Sequence, residues 1–143
     1  MLGPFGYGAL KIGATKAEAK ASGLAEGISG SKGQCGGTGD GWLKGAQKPT
    51  DENIGGMLFF SATTGKLISI YAYGEVATPE GIKVGSTVAE LKAAFGKLDA
   101  ENGAAGQVYA PVAGNSKATY RINVIDGKVN ELSLDSVGQD CYE

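Results

Sequence analysis

Catalysis needs side chains that titrate, coordinate or attack, and this chain lacks the most versatile of them, for it contains no histidine. Imidazole is the usual general base near neutral pH, the usual partner of a Ser or Cys nucleophile and the commonest transition-metal ligand. A histidine-dependent triad is therefore excluded. The two cysteines, Cys35 and Cys141, make a zinc site only if carboxylates complete it. Asp40, Asp51 and Glu52 share one irregular stretch, yet their spacing matches no dedicated calcium loop, and Asp51-Glu52 reads more simply as a solvated pair. Nothing in the spacing brings two carboxyls together for glycoside hydrolysis. The glycine-rich run from Gly33 to Gly41 lacks the Gly-x-x-x-x-Gly-Lys-Ser/Thr pattern and opens no capped helix, so it is a poor phosphate cradle. No catalytic residue, metal ligand or cofactor is expected, and the chain does not read as an enzyme.

Recognition is the chemistry that remains. Strand alternation in the segments Met57–Ala62 and Leu67–Tyr73 puts Leu58, Phe60, Ala62, Ile68, Ile70 and Ala72 on one face. Met57, Phe59, Leu67, Tyr71 and Tyr73 fall on the other, which is more apolar than a solvent-facing sheet surface usually is. That face is either an aromatic platform for a partner, with Phe59, Tyr71 and Tyr73 exposed, or an internal surface packed on the rest of the chain. Trp42, between Gly41 and Leu43, is either a plug sealing a loop onto the core or a further anchor.

The elements that would hold these residues are announced by an internal repeat. Leu10-Lys11-Ile12-Gly13-Ala14-Thr15-Lys16-Ala17-Glu18-Ala19-Lys20-Ala21 aligns without gaps on Ile82-Lys83-Val84-Gly85-Ser86-Thr87-Val88-Ala89-Glu90-Leu91-Lys92-Ala93. Each copy carries Thr-x-x-Glu, a capping box, which predicts helices over Lys16–Ser22 and Val88–Phe95 ended by Gly23 and Gly96. Each helix is followed by a β-hairpin. The first turns at Thr63-Thr64-Gly65-Lys66; the second joins Thr119–Ile125 to Val129–Leu134 through Asp126-Gly127-Lys128. A two-residue Asp-Gly loop in the second would set Ile122 opposite Glu131. An odd turn with a left-handed Gly127 instead puts Tyr120 and Ile122 with Leu132 and Leu134. Arg121, Asn123, Glu131 and Ser133 then form a polar face, taken as solvated. A short strand is expected near Trp42, another over Gln107–Pro111, and Thr78-Pro79-Glu80-Gly81 is a turn too short to tether separate domains. The expected class is α+β: one compact domain, 1–143, of two pseudo-repeats, about 5–76 and 80–141.

Composition bounds the partners. A hydrophobic fraction of 42% with 20% charged residues is ordinary for a globular chain, and a net charge of -2 offers no basic stripe for nucleic acid. No apolar run approaches the roughly 20 residues of a membrane span. The 25 glycines are more than twice the usual share and predict many turns. An even cysteine pair in a small glycine-rich chain reads as a Cys35–Cys141 bridge of an exported protein, against the alternative of two unrelated buried thiols. Met1 directly before Leu2-Gly3-Pro4-Phe5 reads as an initiator residue joined to a mature chain whose signal peptide is gone, so the expected location is secreted.

The repeated apolar-x-apolar-Gly-x-Thr helix start followed by a β-meander resembles the tandem-repeat fold of the β-lactamase inhibitory proteins and their non-inhibitory relatives. Segments Tyr7–Thr15 and Thr78–Thr87 and the terminal Asp140-Cys141 resemble a group of secreted actinobacterial proteins. The resemblance implies that helices lie on one face of an antiparallel sheet and that the two halves join as a saddle. It also implies that the concave aromatic face grips a protein partner, such as a secreted or periplasmic enzyme. The inhibitors close a disulfide within each half, whereas here each half holds one cysteine, so the bridge would run between halves. No residue matches their acidic loop residue. The expected function is a secreted protein-binding module of the inhibitor type; the alternative is a structural or assembly-assisting cell-envelope protein. The candidate contact residues are Phe59, Tyr71, Tyr73, Met57 and Trp42.

Overall fold

The computed structural model describes residues 1–30, 33, 39–96 and 106–138. Its elements, in chain order, are β1 (Gly6–Tyr7), β2 (Leu10–Lys11), α1 (Lys16–Ala21), β3 (Ala25–Glu26), β4 (Trp42–Leu43), β5 (Leu58–Phe60), β6 (Leu67–Tyr71), α2 (Val88–Phe95), β7 (Gly106–Pro111), β8 (Ala118–Ile125) and β9 (Lys128–Ser136). The class is α+β, with two short helices and antiparallel sheets among the described residues. β1 pairs with β2 and β3 with β4; the other five strands form one sheet in the order β5-β6-β9-β8-β7.

Both helices begin as the Thr-x-x-Glu spacing requires. The Thr15 hydroxyl accepts from the Glu18 backbone N–H at 3.1 Å, and the Glu18 carboxylate accepts from the Thr15 N–H at 2.9 Å. Thr87 and Glu90 repeat this pairing at 3.1 and 2.9 Å. Each box satisfies donors that a helix N-terminus otherwise leaves unpaired. The backbone bonds to Thr15 and Thr87, more than any other cause, hold the Glu18 and Glu90 carboxyls below their ordinary range. α1 stops at Ala21 with left-handed Gly23 just beyond, and α2 stops at Phe95 with Gly96 as its cap.

Pairing in the large sheet stacks residues in ranks across the strands. On one face Leu58, Ile70, Leu134, Tyr120 and Ala110 are successive partners from β5 to β7, with Leu132, Ile122 and Val108 alongside. All are buried, and Ala19 of α1 and Leu91 of α2 join the same core. Each fully buried Leu or Ile contributes about 1.5–3 kcal/mol. The Phe95 ring lies 6.0 Å from that of Tyr120, whose hydroxyl donates to the Leu2 carbonyl at 2.8 Å. Burial pushes the Tyr120 phenol well up, so it stays a neutral donor pinning the N-terminal segment.

Two bulges correct the strand-parity reading. Phe59 pairs with Ser69 but Phe60 with Leu67, leaving Ile68 as the extra residue. Leu67 therefore enters the main core and Ile68 joins Met57, Phe59 and Tyr71 on the opposite side, the reverse of strict alternation. Ala62 lies past the strand end and is exposed. In the second hairpin Ile125 pairs directly with Lys128, so the loop is the two-residue Asp126-Gly127, at φ 54° and 77°, the positive-φ pair of a type I′ turn. The register is mended higher up: Asn123 faces Glu131 but Val124 faces Val129, so Asn130 is the extra residue and Ile122 reaches Leu132. The expected facing of Tyr120, Ile122, Leu132 and Leu134 holds, through a different device. The turn at Thr78–Gly81 is closed by the Gly81 N–H donating to the Thr78 carbonyl at 2.8 Å.

Candidate functional site

The second face of the sheet carries three ranks of its own. One runs Tyr71, Ser133, Arg121, Tyr109 from β6 to β7, and the Tyr71 N–H donates to the Met57 carbonyl at its inner end. The next runs Phe59, Ser69, Asp135, Thr119, Pro111, and the third Glu131, Asn123, Gln107. The face grades from apolar at β5 through polar in the middle to open at β7.

At the β5 end the expected exposed platform is not found. Met57, Phe59 and Tyr71 are 3, 5 and 5% exposed and cluster with Ile68, the half-buried Ile54 packing against them. Chain from the first-half loop lies across this corner. The Asp40 N–H donates to the Leu58 carbonyl at 2.8 Å, and the Asp40 carboxylate accepts from the Phe60 N–H at 2.9 Å. A methyl on Gly39 would fall 2.7 Å from the Met57 Cγ. The aromatic face is thus internal there, and Asp40 serves the edge of β5. Among the described residues no three Asp, Glu, Cys or His side chains come together as metal ligands. Tyr73 leaves the group: it is half-buried against the main core, and its hydroxyl donates to the Lys44 carbonyl at 3.1 Å. Trp42 covers Gly27, where a methyl would fall 2.0 Å from the indole Cζ3, so it is a half-buried plug. Cys35 and Cys141 lie outside the described residues.

In the middle the face is polar and only partly solvated: the reading of it as a hydrated surface fails for Ser133, while Arg121, Asn123 and Glu131 stay partly exposed. Ser133 is 0% exposed and Asp135 2%, and the Ser69 hydroxyl donates to the Asp135 carboxylate at 2.8 Å. Arg121 spans the rank. Its Nη1 donates to the Tyr71 hydroxyl at 3.3 Å and lies 3.6 Å from a Glu131 carboxylate oxygen, while its Nη2 donates to Gln107 Oε1 at 2.9 Å. Gln107 passes the link on, Nε2 donating to the Tyr109 hydroxyl at 2.8 Å. Ser133 lies between Tyr71 and Arg121 in the rank, and its small side chain lets phenol and guanidinium meet. Its own hydroxyl has no hydrogen-bond partner among the described residues.

At the β7 end Tyr109 is 46% exposed. Sequence reasoning did not single out Tyr109, Gln107 and Arg121 as a site. The signal was their shared parity: Gln107 and Tyr109 alternate with the apolar Val108 and Ala110, so the pair must face together, and the β8 partner of Tyr109 is Arg121. An acidic groove adjoins the rank. Asp51, Glu52, Asn53, Ile54, Gly55, Tyr71, Tyr73, Val84 and Glu131 are among the residues enclosing about 380 Å³. No described helix is long and apolar enough to cross a membrane. No protein-family model, curated protein or solved structure matches this chain.

Proposed function

We propose that this chain is a secreted protein-binding module of the inhibitor-like kind, meeting its partner with Tyr109, Gln107 and Arg121. The observation that carries the reading is the bracing of Arg121 between Tyr71, Glu131 and Gln107, with the half-exposed Tyr109 ring bonded to the same glutamine. Tyr and Arg dominate the energetics of protein interfaces. Holding both on paired strands removes much of the ordering cost that binding would otherwise incur. The same reading takes the chain as one domain of two units, about 5–76 and 80–141, with a saddle-like sheet and a Cys35–Cys141 bridge between units. Its support is the likeness of the two helix starts. Gly13 N–H donates to the Leu67 carbonyl and Leu67 N–H to that of Ala14, both at 2.8 Å; Gly85, Val129 and Ser86 repeat the pair at 2.8 Å.

The envelope-protein reading is favoured by a different observation, the burial of Met57, Phe59 and Tyr71, which uses the expected aromatic platform internally. One experiment separates the two. The immobilised protein, Tyr109→Ala and Arg121→Lys are compared for capture of proteins from culture supernatant and for inhibition of a purified serine β-lactamase. Tyr109→Ala should leave stability within about 0.5 kcal/mol yet weaken partner capture by more than about 1 kcal/mol. Capture or inhibition indifferent to both substitutions overturns the assignment of this face.

A further inference from the structure

The groove beside Glu131 carries a more specific inference, resting on the protein-binding reading: it says which side chain the partner brings. Its walls are of two kinds. Tyr73 supplies aromatic surface, with Ile54, Val84 and the buried Tyr71 and Ala72 as apolar lining; Asp51, Glu52 and Glu131 supply charge, and among the described residues no Lys or Arg lines it. The Tyr73 hydroxyl is engaged elsewhere, donating to the Lys44 carbonyl, so what Tyr73 offers the groove is ring. Aromatic surface and carboxylates both favour a cation, the first through the ring quadrupole and the second by direct charge. The carboxylates are not grouped as metal ligands, since no three such groups among the described residues converge. An extended side chain with an apolar stem and a delocalised charge suits this lining better than a bare ion. A guanidinium stacks on tyrosine and meets carboxylates with a planar fork.

We propose that the groove between the Asp51–Gly55 segment and the Tyr71–Gly74 strand end docks an arginine side chain of a partner protein. Charge complementarity sets the occupant, and proximity to Arg121 sets the orientation: Glu131 already faces that cation at 3.6 Å, so the incoming one is directed to the Asp51 and Glu52 side. The docked side chain would lie at the inner end of the rank whose outer end is Tyr109.

The probe is N-acetyl-arginine methylamide, titrated into the intact ¹⁵N-labelled protein, with N-acetyl-norleucine methylamide and calcium chloride as separate arms. The expected result is saturable shifts at Ile54, Gly55, Gly74 and Val84 in the roughly millimolar range of a single side chain, absent with the norleucine amide and reduced by salt. The double substitution Asp51→Asn/Glu52→Gln should weaken the arginine probe by about threefold or more. Glu26→Gln, an exposed carboxylate of β3 outside the groove, should leave it unchanged and checks for a general charge effect. Equal shifts from norleucine, no saturation, indifference to the double substitution, or displacement of the probe by calcium each overturn the inference. Partner capture that still depends on Tyr109 while the probe fails would sink the groove alone and leave the binding face standing.

Discussion

Replacing Tyr71 by alanine is the sharpest test of how the second face of the sheet is used. The ring is 5% exposed, meets Phe59 edge-on with centroids 6.1 Å apart, and packs with Met57 and Ile68. Truncating a buried aromatic in such a setting costs about 3–5 kcal/mol, because transfer free energy and a residual cavity add. The phenol contributes little of that. Its bond to Arg121 is long at 3.3 Å, and Arg121 keeps Gln107 and Glu131 when it is lost. Tyr71→Phe should therefore cost less than about 1 kcal/mol. Urea unfolding of both variants reads the contrast directly, as a large fall in midpoint for alanine and a small one for phenylalanine at unchanged slope. At about 3 °C per kcal/mol for a chain of this size, the alanine variant should also melt about 10 °C early. A loss below about 1 kcal/mol for Tyr71→Ala would mean the ring is not enclosed in solution. The corner over β5 would then be an open aromatic platform after all.

Further outcomes follow from the same geometry. Ser133→Ala removes a fully buried hydroxyl that has no partner among the described residues, so it should be neutral or stabilising by up to about 1 kcal/mol in urea unfolding; a loss of that size instead would reveal a bond to that oxygen. Thr15→Ala and Thr87→Ala should each cost about 1 kcal/mol through the lost cap, and unequal costs would argue that the two helix starts are not equivalent. Glu18 and Glu90 are held below the ordinary carboxyl value of 4.5 in the folded chain. Their contribution is therefore present above that value and lost as pH falls through the lower, folded one. Between about pH 5 and pH 3 the urea midpoint of the wild type should fall more steeply than that of Glu18→Gln/Glu90→Gln; parallel curves would contradict the assignment.

The parts legible in the sequence are those decided locally. A capping box needs only Thr and Glu three residues apart, so both helices start where the spacing puts them, and Asp126-Gly127 marks a turn because it tolerates positive φ. The parts that were not legible depend on counting across strands. One extra residue, Ile68, exchanges the faces of Leu67 and Ile68, and one extra residue, Asn130, restores a register that the two-residue turn would have spoiled. At the first bulge Leu67 and Ile68 are both apolar, so hydrophobicity alone did not reveal the slip; at the second the Ile122–Glu131 mismatch showed that the register needed mending but not where. Burial of the second face is a further step removed, since Asp40 reaches Phe60 from 20 residues away and nothing in either segment names the other. Strands β1, β2 and β3 escaped for the opposite reason, two residues being too few to show a period, while β4 is the short strand expected near Trp42.

The rank from Tyr71 to Tyr109 ties stability and the proposed recognition to one row of side chains. Its inner end is buried with Met57 and Phe59, its outer end is open, and Arg121 joins them over the small side chain of Ser133. A larger residue at Ser133 would hold phenol and guanidinium apart and remove the Tyr71 hydroxyl from the brace, leaving Arg121 held by Gln107 and Glu131 alone. The site therefore depends on a residue that need not touch a partner. In the partly enclosed setting beside Tyr71, the two Nη groups of Arg121 reach three acceptors, which a single-point ammonium would not do. Substituting lysine would keep the charge and lose the span, since one ammonium cannot reach Tyr71 and Gln107 from both sides at once. That difference, rather than net charge, is what makes Arg121 the residue on which the proposed binding face rests.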